Sequence, residues 1–232
     1  MEVVTGPTGY RFLSRPGRPF SAGVAAEVGF EIVRVQFDPL RPLERGGYEA
    51  MESAVTNSGR PPAALCAVEL RSPEPFTPAG FEEFNRGYVA RLERWGLRQG
   101  ESMAPARTNV APESSPPSEV SVAAVCFTRV ARAGTARFFV ISGEADDPAV
   151  SGLREKWDAI HRELERRLEA LGLGWDDASE VALYAPAGSL GALRAIPGLV
   201  ESYRDRLVVV ESRPPVDIYT LEVDVRSVLP AN

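Results

Sequence analysis

The sequence predicts an α+β protein made of two tandem units, residues 1–117 and 118–232, each a mixed β-sheet with helices packed on one face. Three observations carry this expectation. Arg162–Pro186, RELERRLEALGLGWDDASEVALYAP, reads as a helix, a glycine-bounded turn, a paired acidic step and a strand. Pro62–Val110 follows a related plan, with the strand AALCAVELRSP, a helix ending at Trp95 and an Arg-Thr segment, ARTNV. Helical and extended patterns also alternate along the chain, and helices between strands at this spacing favour a sheet covered on one face. A duplicated unit can build a ligand site at the seam between its copies, which one copy alone could not enclose.

Residues 20–28 and 30–37 are apolar-rich with loose alternation and predict a hairpin turning near Gly29. Pro39 and Pro42 end that pattern, and a short helix is expected over Leu43–Val55, weakened by Gly46 and Gly47. Ser58–Pro62 reads as a turn and Ala63–Leu70 as a buried strand. After Pro73, Pro75 and Pro78, the residues Phe81, Phe84, Tyr88, Leu92 and Trp95 fall on one helical face, and Gly96 stops the helix. Residues 98–118 form a connector rich in Gly, Ser, Pro and Glu, with a short strand at Arg107–Ala111. Val120–Val130 and Ala136–Ile141 predict strands joined across Ala133-Gly134. A helix follows over Val150–Leu171, its apolar face formed by Leu153, Trp157, Ile160, Leu164, Leu168 and Leu171. Gly172 and Gly174 end it. Glu180–Tyr184 is a strand, Ser189–Tyr203 a helix, and Leu207–Glu211 and Tyr219–Val225 are closing strands.

Composition narrows the function classes. A hydrophobic share of 44% with 25% charged residues is that of a soluble globular protein. No apolar run nears the roughly 20 residues that span a bilayer. The opening MEVVTGPTGYRF lacks a basic region followed by an apolar core, so no secretory signal is expected. With Cys66 and Cys126 in neither metal nor disulfide spacing, a reducing cytoplasm is the expected compartment. Both cysteines read as small core residues. A net charge of −6 argues against nonspecific nucleic-acid binding. Lys156 is the sole lysine, so Schiff-base chemistry would fall to it, but its place on an amphipathic helix reads as a solvated surface position. His161, the only histidine, reads as a structural or surface residue, which removes a Ser-His-Asp triad. The pairs Asp146-Asp147 and Asp176-Asp177 are turn and helix-start features without metal-site spacing. No glycine-rich phosphate loop leads from a strand into a helix.

Several segments together resemble the RidA/YjgF family of imine and enamine deaminases. FFVISGEA (138–145) looks like the family's Ser-Gly step, LEALGLGWDDASEVALYAP (168–186) like its helix–turn–strand, TLEVDVRSV (220–228) like its closing strand, and PARTNV (105–110) like its arginine-bearing strand. The resemblance covers about 110 residues of the C-terminal half and the N-terminal half in outline. It implies chorismate mutase-like units, a homo-oligomer (a trimer or a pseudo-symmetric assembly) and sites at unit interfaces. It also implies chemistry without metal or organic cofactor: an arginine clamps a substrate carboxylate, and a glutamate handles the water that attacks a protonated C=N.

Carried onto this chain, the resemblance makes Arg107 the carboxylate clamp, against the alternative of a strand-edge arginine. Glu119 in SEVSV and Glu222 in TLEVDV take the water-handling position in the two units. Arg206 or Arg213 would be the second clamp, although Leu207 follows Arg206 where Ser or Thr should stand. Ser142 and Tyr184 would line a pocket or serve the sheet core. The leading expectation is a cofactor-free hydrolytic deaminase of enamine or imine carboxylates, possibly of the 2-aminomuconate type, since longer relatives of the family include such enzymes. The competing expectations are a chorismatase-like enzyme on a dicarboxylate and a non-catalytic ligand-binding or interaction protein with the same fold.

Overall fold

The computed structural model describes residues 1–132, 137–203 and 205–231. Strands β1 (Val3–Thr5), β2 (Tyr10–Leu13) and β3 (Val24–Ala26) open the chain. The first half then runs β4 (Phe30–Pro42), α1 (Tyr48–Thr56), β5 (Leu65–Arg71), α2 (Pro78–Glu93), β6 (Arg98–Gln99), β7 (Ser102–Met103), β8 (Ala106–Pro112) and β9 (Ser121–Val130). The second half comprises β10 (Phe139–Ala145), α3 (Leu153–Ala170), β11 (Glu180–Ala185), α4 (Leu190–Arg194), α5 (Leu199–Tyr203), β12 (Leu207–Arg213), β13 (Glu222–Ser227) and β14 (Leu229–Pro230).

Twelve strands form one mixed sheet, in the order β1-β2-β3-β10-β13-β11-β12-β8-β5-β9-β4-β14. Within it one arrangement occurs twice, as β4-β9-β5-β8 and β10-β13-β11-β12. Counted in chain order, the first strand of each quartet is antiparallel to the fourth, the fourth antiparallel to the second, and the second parallel to the third. A parallel pair needs a crossover, and α2 supplies it in one half, α4 and α5 in the other. The quartets meet edge to edge where β8 runs antiparallel to β12, with Arg213 opposite Ala111.

The strand pairing redraws two sequence expectations. Gly29 does turn the chain, with φ +87°. The strands on either side of it do not form a hairpin, however: β3 pairs with β2 and β10, while β4 pairs with β9 and β14. Likewise, β9 lies between β4 and β5 in the first quartet, whereas β1–β3 extend the second. The sheet therefore does not divide at residue 117. Each chain end is laid against the opposite half, which ties the two quartets together. The turn expected at Ala133-Gly134 lies outside the described residues.

Local signals explain most element limits. Thr77 caps α2, its hydroxyl accepting from the Gly80 amide at 3.1 Å, and Pro78 occupies a first-turn position where its missing N–H costs nothing. The face expected on the helix at 150–171 packs as foreseen, with Trp157, Ile160, Leu164 and Leu168 buried in the second-half core. The helix expected over Ser189–Tyr203 is instead two short ones, because Pro197 cannot continue a helical ladder and Gly198 takes φ +82°. The helix expected from Leu43 begins regularly only at Tyr48, since Gly46 sits at φ +99°.

A buried polar layer holds the halves together on the sheet face away from the helices. Alternation along β5 sends Val68 and Leu70 into the first-half core and Glu69 to the opposite face. Glu69, 4% exposed, accepts two hydrogen bonds from Arg34, at 2.6 and 2.8 Å, and one at 2.7 Å from Arg226 of β13. Burial pushes its pKa upward, but the Arg34 hydrogen bonds and the Arg226 charge prevail and hold the carboxyl at about 2. Because the folded pKa is depressed, this stabilisation is present above the ordinary carboxylate range and is lost as pH falls from about 4.3 toward the folded value. Glu69→Gln should cost about 3 kcal/mol at neutral pH, since it takes the carboxylate from Arg34 and leaves the buried Arg226 with Glu180 alone. Urea unfolding at stepped pH checks this: the gap between wild type and variant should close in acid.

Candidate active site

On β8, alternation places Arg107 and Asn109 on the helix side of the sheet and Thr108 on the other. Arg107 is only 2% exposed, yet among the described residues Nη1 and Nη2 have no hydrogen-bond partner. Four rings surround its guanidinium: Phe20 and Tyr88 with centroids at 4.7 Å, Phe81 at 5.2 Å and Phe84 at 5.6 Å. Cation–π attraction lets an arginine without an ion pair persist there. Burial lowers its pKa from the ordinary value, with Tyr88 and then Glu222 opposing the shift. A guanidinium nevertheless stays charged at neutral pH.

The second element of the site comes from the opposite half. Glu222 begins β13 and is 1% exposed, its Oε1 also without a partner. Burial, and after it the charge of Asp224, push the Glu222 carboxyl well above the usual carboxylate range, while Arg107 pulls the other way. Asp224 is firmly held: it accepts from Thr108 Oγ1 at 2.5 Å, from the Gly143 amide at 3.0 Å and from Tyr184 Oη at 3.2 Å. Gly143 lies where β10 shifts register against β13. Its φ of +69° favours glycine, and a Cβ would lie 2.6 Å from the Arg107 carbonyl oxygen. This residue lets β8 and β10 approach closely and brings Arg107 toward Glu222.

Both residues open into one cleft of about 1050 Å³, whose lining includes Arg15, Phe20, Phe81, Arg107, Asn109 and Glu222. The Nδ2 of Asn109 is a further buried donor without a partner among the described residues, while its Oδ1 accepts from Ser72 at 2.8 Å. Asp146 braces the approach to β13: Oδ1 accepts from the Thr220 and Leu221 amides at 2.6 Å each, and Lys156 Nζ binds Oδ2 at 2.5 Å. The sole lysine is thus not a solvated surface residue. Its side chain is 12% exposed and serves a buried ion pair, which accounts for its position without any Schiff base.

Of the residues singled out in the sequence, the structure brings Arg107 and Glu222 together. Tyr184 and Ser142 are buried behind them, the first through Asp224, the second with a hydroxyl lacking a partner. Three others stand outside the cleft. Glu119 precedes β9 and pairs with Arg45 at the surface. Arg206 donates to the Trp175 and Ala178 carbonyls at 2.6 and 3.2 Å, so it ties down the turn after α3. Arg213, half exposed on β12, faces Glu113 at 3.9 Å. His161 bonds Tyr203 Oη at 2.6 Å and stacks on Trp175, a structural role as expected. Sequence reading passed over Asn109, Asp224 and Phe20. The first two carry a legible signal, being two residues from Arg107 and Glu222 and so on the same strand faces.

The arrangement is suited to one class of chemistry. A caged cation with two outward N–H groups can take a carboxylate in a bidentate pair. A carboxyl whose pKa is raised by burial keeps its proton to higher pH than an ordinary carboxyl and can serve as a proton donor. Comparisons with known proteins agree in kind. Residues 3–231 match the family described as 2-aminomuconate deaminase CnbZ. A 2-amino-5-chloromuconate deaminase of Comamonas testosteroni is 37% identical over 250 residues, an alignment covering 97% of this chain and 95% of the relative. A crystal structure of a chorismatase shares the fold with a TM-score of 0.52 at 13% identity, over 97% of this chain and 79% of that one.

Proposed function

The chain belongs to the 2-aminomuconate deaminase CnbZ family, and from that premise we propose that it is a cofactor-free hydrolytic deaminase of 2-aminomuconate-type dicarboxylates. We read its two matching quartets as tandem RidA/YjgF-type units, with the site at their seam. One observation carries the mechanism: Arg107 of one half and Glu222 of the other, both buried and both with polar atoms lacking partners, line the same cleft.

Arg107 grips the carboxylate next to the amine-bearing carbon, which sets that carbon beside Glu222. Protonated Glu222 donates its proton to a carbon of the diene conjugated with the amine, turning the enamine into an iminium. The resulting carboxylate then accepts a proton from water as the water oxygen bonds to the iminium carbon. That proton passes to nitrogen, the C–N bond breaks with its electron pair leaving on ammonia, and the hydroxyl proton returns to Glu222. The sum is substrate plus water giving a 2-oxo acid plus ammonia, with the enzyme unchanged. In this reading the Arg107 charge and the Asn109 amide hold the negative charge of the substrate.

The test is ammonia release from enzymatically generated 2-aminomuconate, from 2-aminoacrylate, and pyruvate release from chorismate. Rapid ammonia release from the first substrate, slower from the second and no pyruvate from the third is the expected pattern. Absence of acceleration with 2-aminomuconate would end this reading, and pyruvate release would favour the chorismatase-like alternative.

A further inference from the structure

The cleft holds more arginines than one carboxylate needs, and half of them are already matched. Arg86 pairs with Glu83, Arg98 with Glu93 and Arg166 with Glu163. Arg15, between β2 and β3, lines the same cleft and is half-buried, yet it makes no ion pair or side-chain hydrogen bond among the described residues. Its guanidinium carbon lies 5.8 Å from the Phe20 ring centroid, and that of Arg107 lies 4.7 Å from the same centroid. The two cations are therefore separated by no more than the sum of those distances, within the span of one short dicarboxylate.

We propose that Arg15 is the clamp for the second, distal carboxylate, making the site selective for dicarboxylates over monocarboxylates of the same length. This rests on the deaminase reading for the identity of the substrate, but its physical basis is separate. Phe20 carries both guanidinium groups and spaces them, and the chain between those groups crosses the aromatic wall formed by Phe20 and Phe81. Burial, followed by the nearby charge of Arg167, lowers the Arg15 pKa, whereas Glu144 and Glu163 act in the opposite sense. Glu144 is itself bound to Arg167, and Glu163 to both Arg166 and Arg167. An incoming carboxylate would be the counter-ion that Arg15 lacks. Arg18 also lines the cleft but is exposed, so screening makes it a weaker partner.

The experiment is calorimetric titration with muconate and with sorbate, which has a methyl group in place of one carboxylate. Wild type should bind muconate about 30-fold more tightly than sorbate, the worth of one charge-assisted contact. Arg15→Ala and Arg15→Gln should reduce that preference to about threefold or less without altering sorbate affinity, which also reports an intact fold. Arg18→Ala should keep the preference. A preference that survives in both Arg15 variants, equal affinity of wild type for the two ligands, or parallel loss of both ligands in the Arg15 variants would each overturn the proposal. If 2-aminomuconate is not deaminated while the Arg15-dependent preference holds, the deaminase reading fails and the dicarboxylate clamp stands.

Discussion

Replacing Arg107 with methionine is expected to lower kcat/KM on an aminomuconate-type substrate by about 10³-fold while leaving the folded protein at least as stable as before. The two halves of this expectation come from one fact. Arg107 is buried without an ionic partner among the described residues, so the free protein bears the cost of desolvating a charge. Methionine is unbranched and adaptable, and it can pack against Phe20, Phe81, Phe84 and Tyr88 without that cost. Substrate binding, by contrast, loses two charge-assisted hydrogen bonds and the positioning they give. A residue whose function is structural would show the reverse, with stability falling and activity following it. Lysine at 107 should recover little, since it cannot present a planar fork to a carboxylate. Steady-state kinetics together with thermal unfolding check both halves.

Glu222→Gln should lower kcat by about 10³-fold, within the range that positioned proton transfer supplies, and should change KM far less. Glutamine keeps the shape of the side chain but cannot carry the proton from carbon to water to nitrogen. The pH profile gives the sharper readout. Burial and Asp224 raise the Glu222 pKa, and the proposed reaction begins from its protonated form. Activity is therefore present below that raised pKa, and kcat/KM should decline as pH rises through it. The residual activity of Glu222→Gln should lack this alkaline limb. Glu119→Gln serves as the comparison, because Glu119 lies in a surface pair with Arg45 and should keep both rate and profile.

Several features of the site were legible in the sequence for physical reasons. ARTNV has the alternation of a strand, so Arg107 and Asn109 share a face whatever that face meets. TLEVDV places Glu222 and Asp224 together in the same way. The stripe Phe81, Phe84, Tyr88 and Leu92 fixes one side of a helix, but helical period says nothing about what packs there. Three of those four side chains, Phe81, Phe84 and Tyr88, meet a cation, and no local signal distinguishes them from a stripe that meets only apolar core. Strand partners were harder still. The apolar strand at 121–130 can pair with any other strand, and its place between β4 and β5 is set by register over many residues. Arg206 and Arg213 show the same difficulty: each is close to a strand of the right kind, but direction depends on the tertiary fold. The break at Pro197-Gly198 was present in the sequence, and proline chemistry explains it fully.

The central claim is that Arg107 holds the substrate's carboxylate within reach of Glu222. A crystal structure of the protein soaked with muconate tests it most directly. One carboxylate should lie in the plane of the Arg107 guanidinium, with two parallel contacts of about 2.7–2.9 Å to Nη1 and Nη2, and the adjoining carbons should face Glu222. Muconate seated elsewhere, with Arg107 still met only by its four rings, would contradict the account.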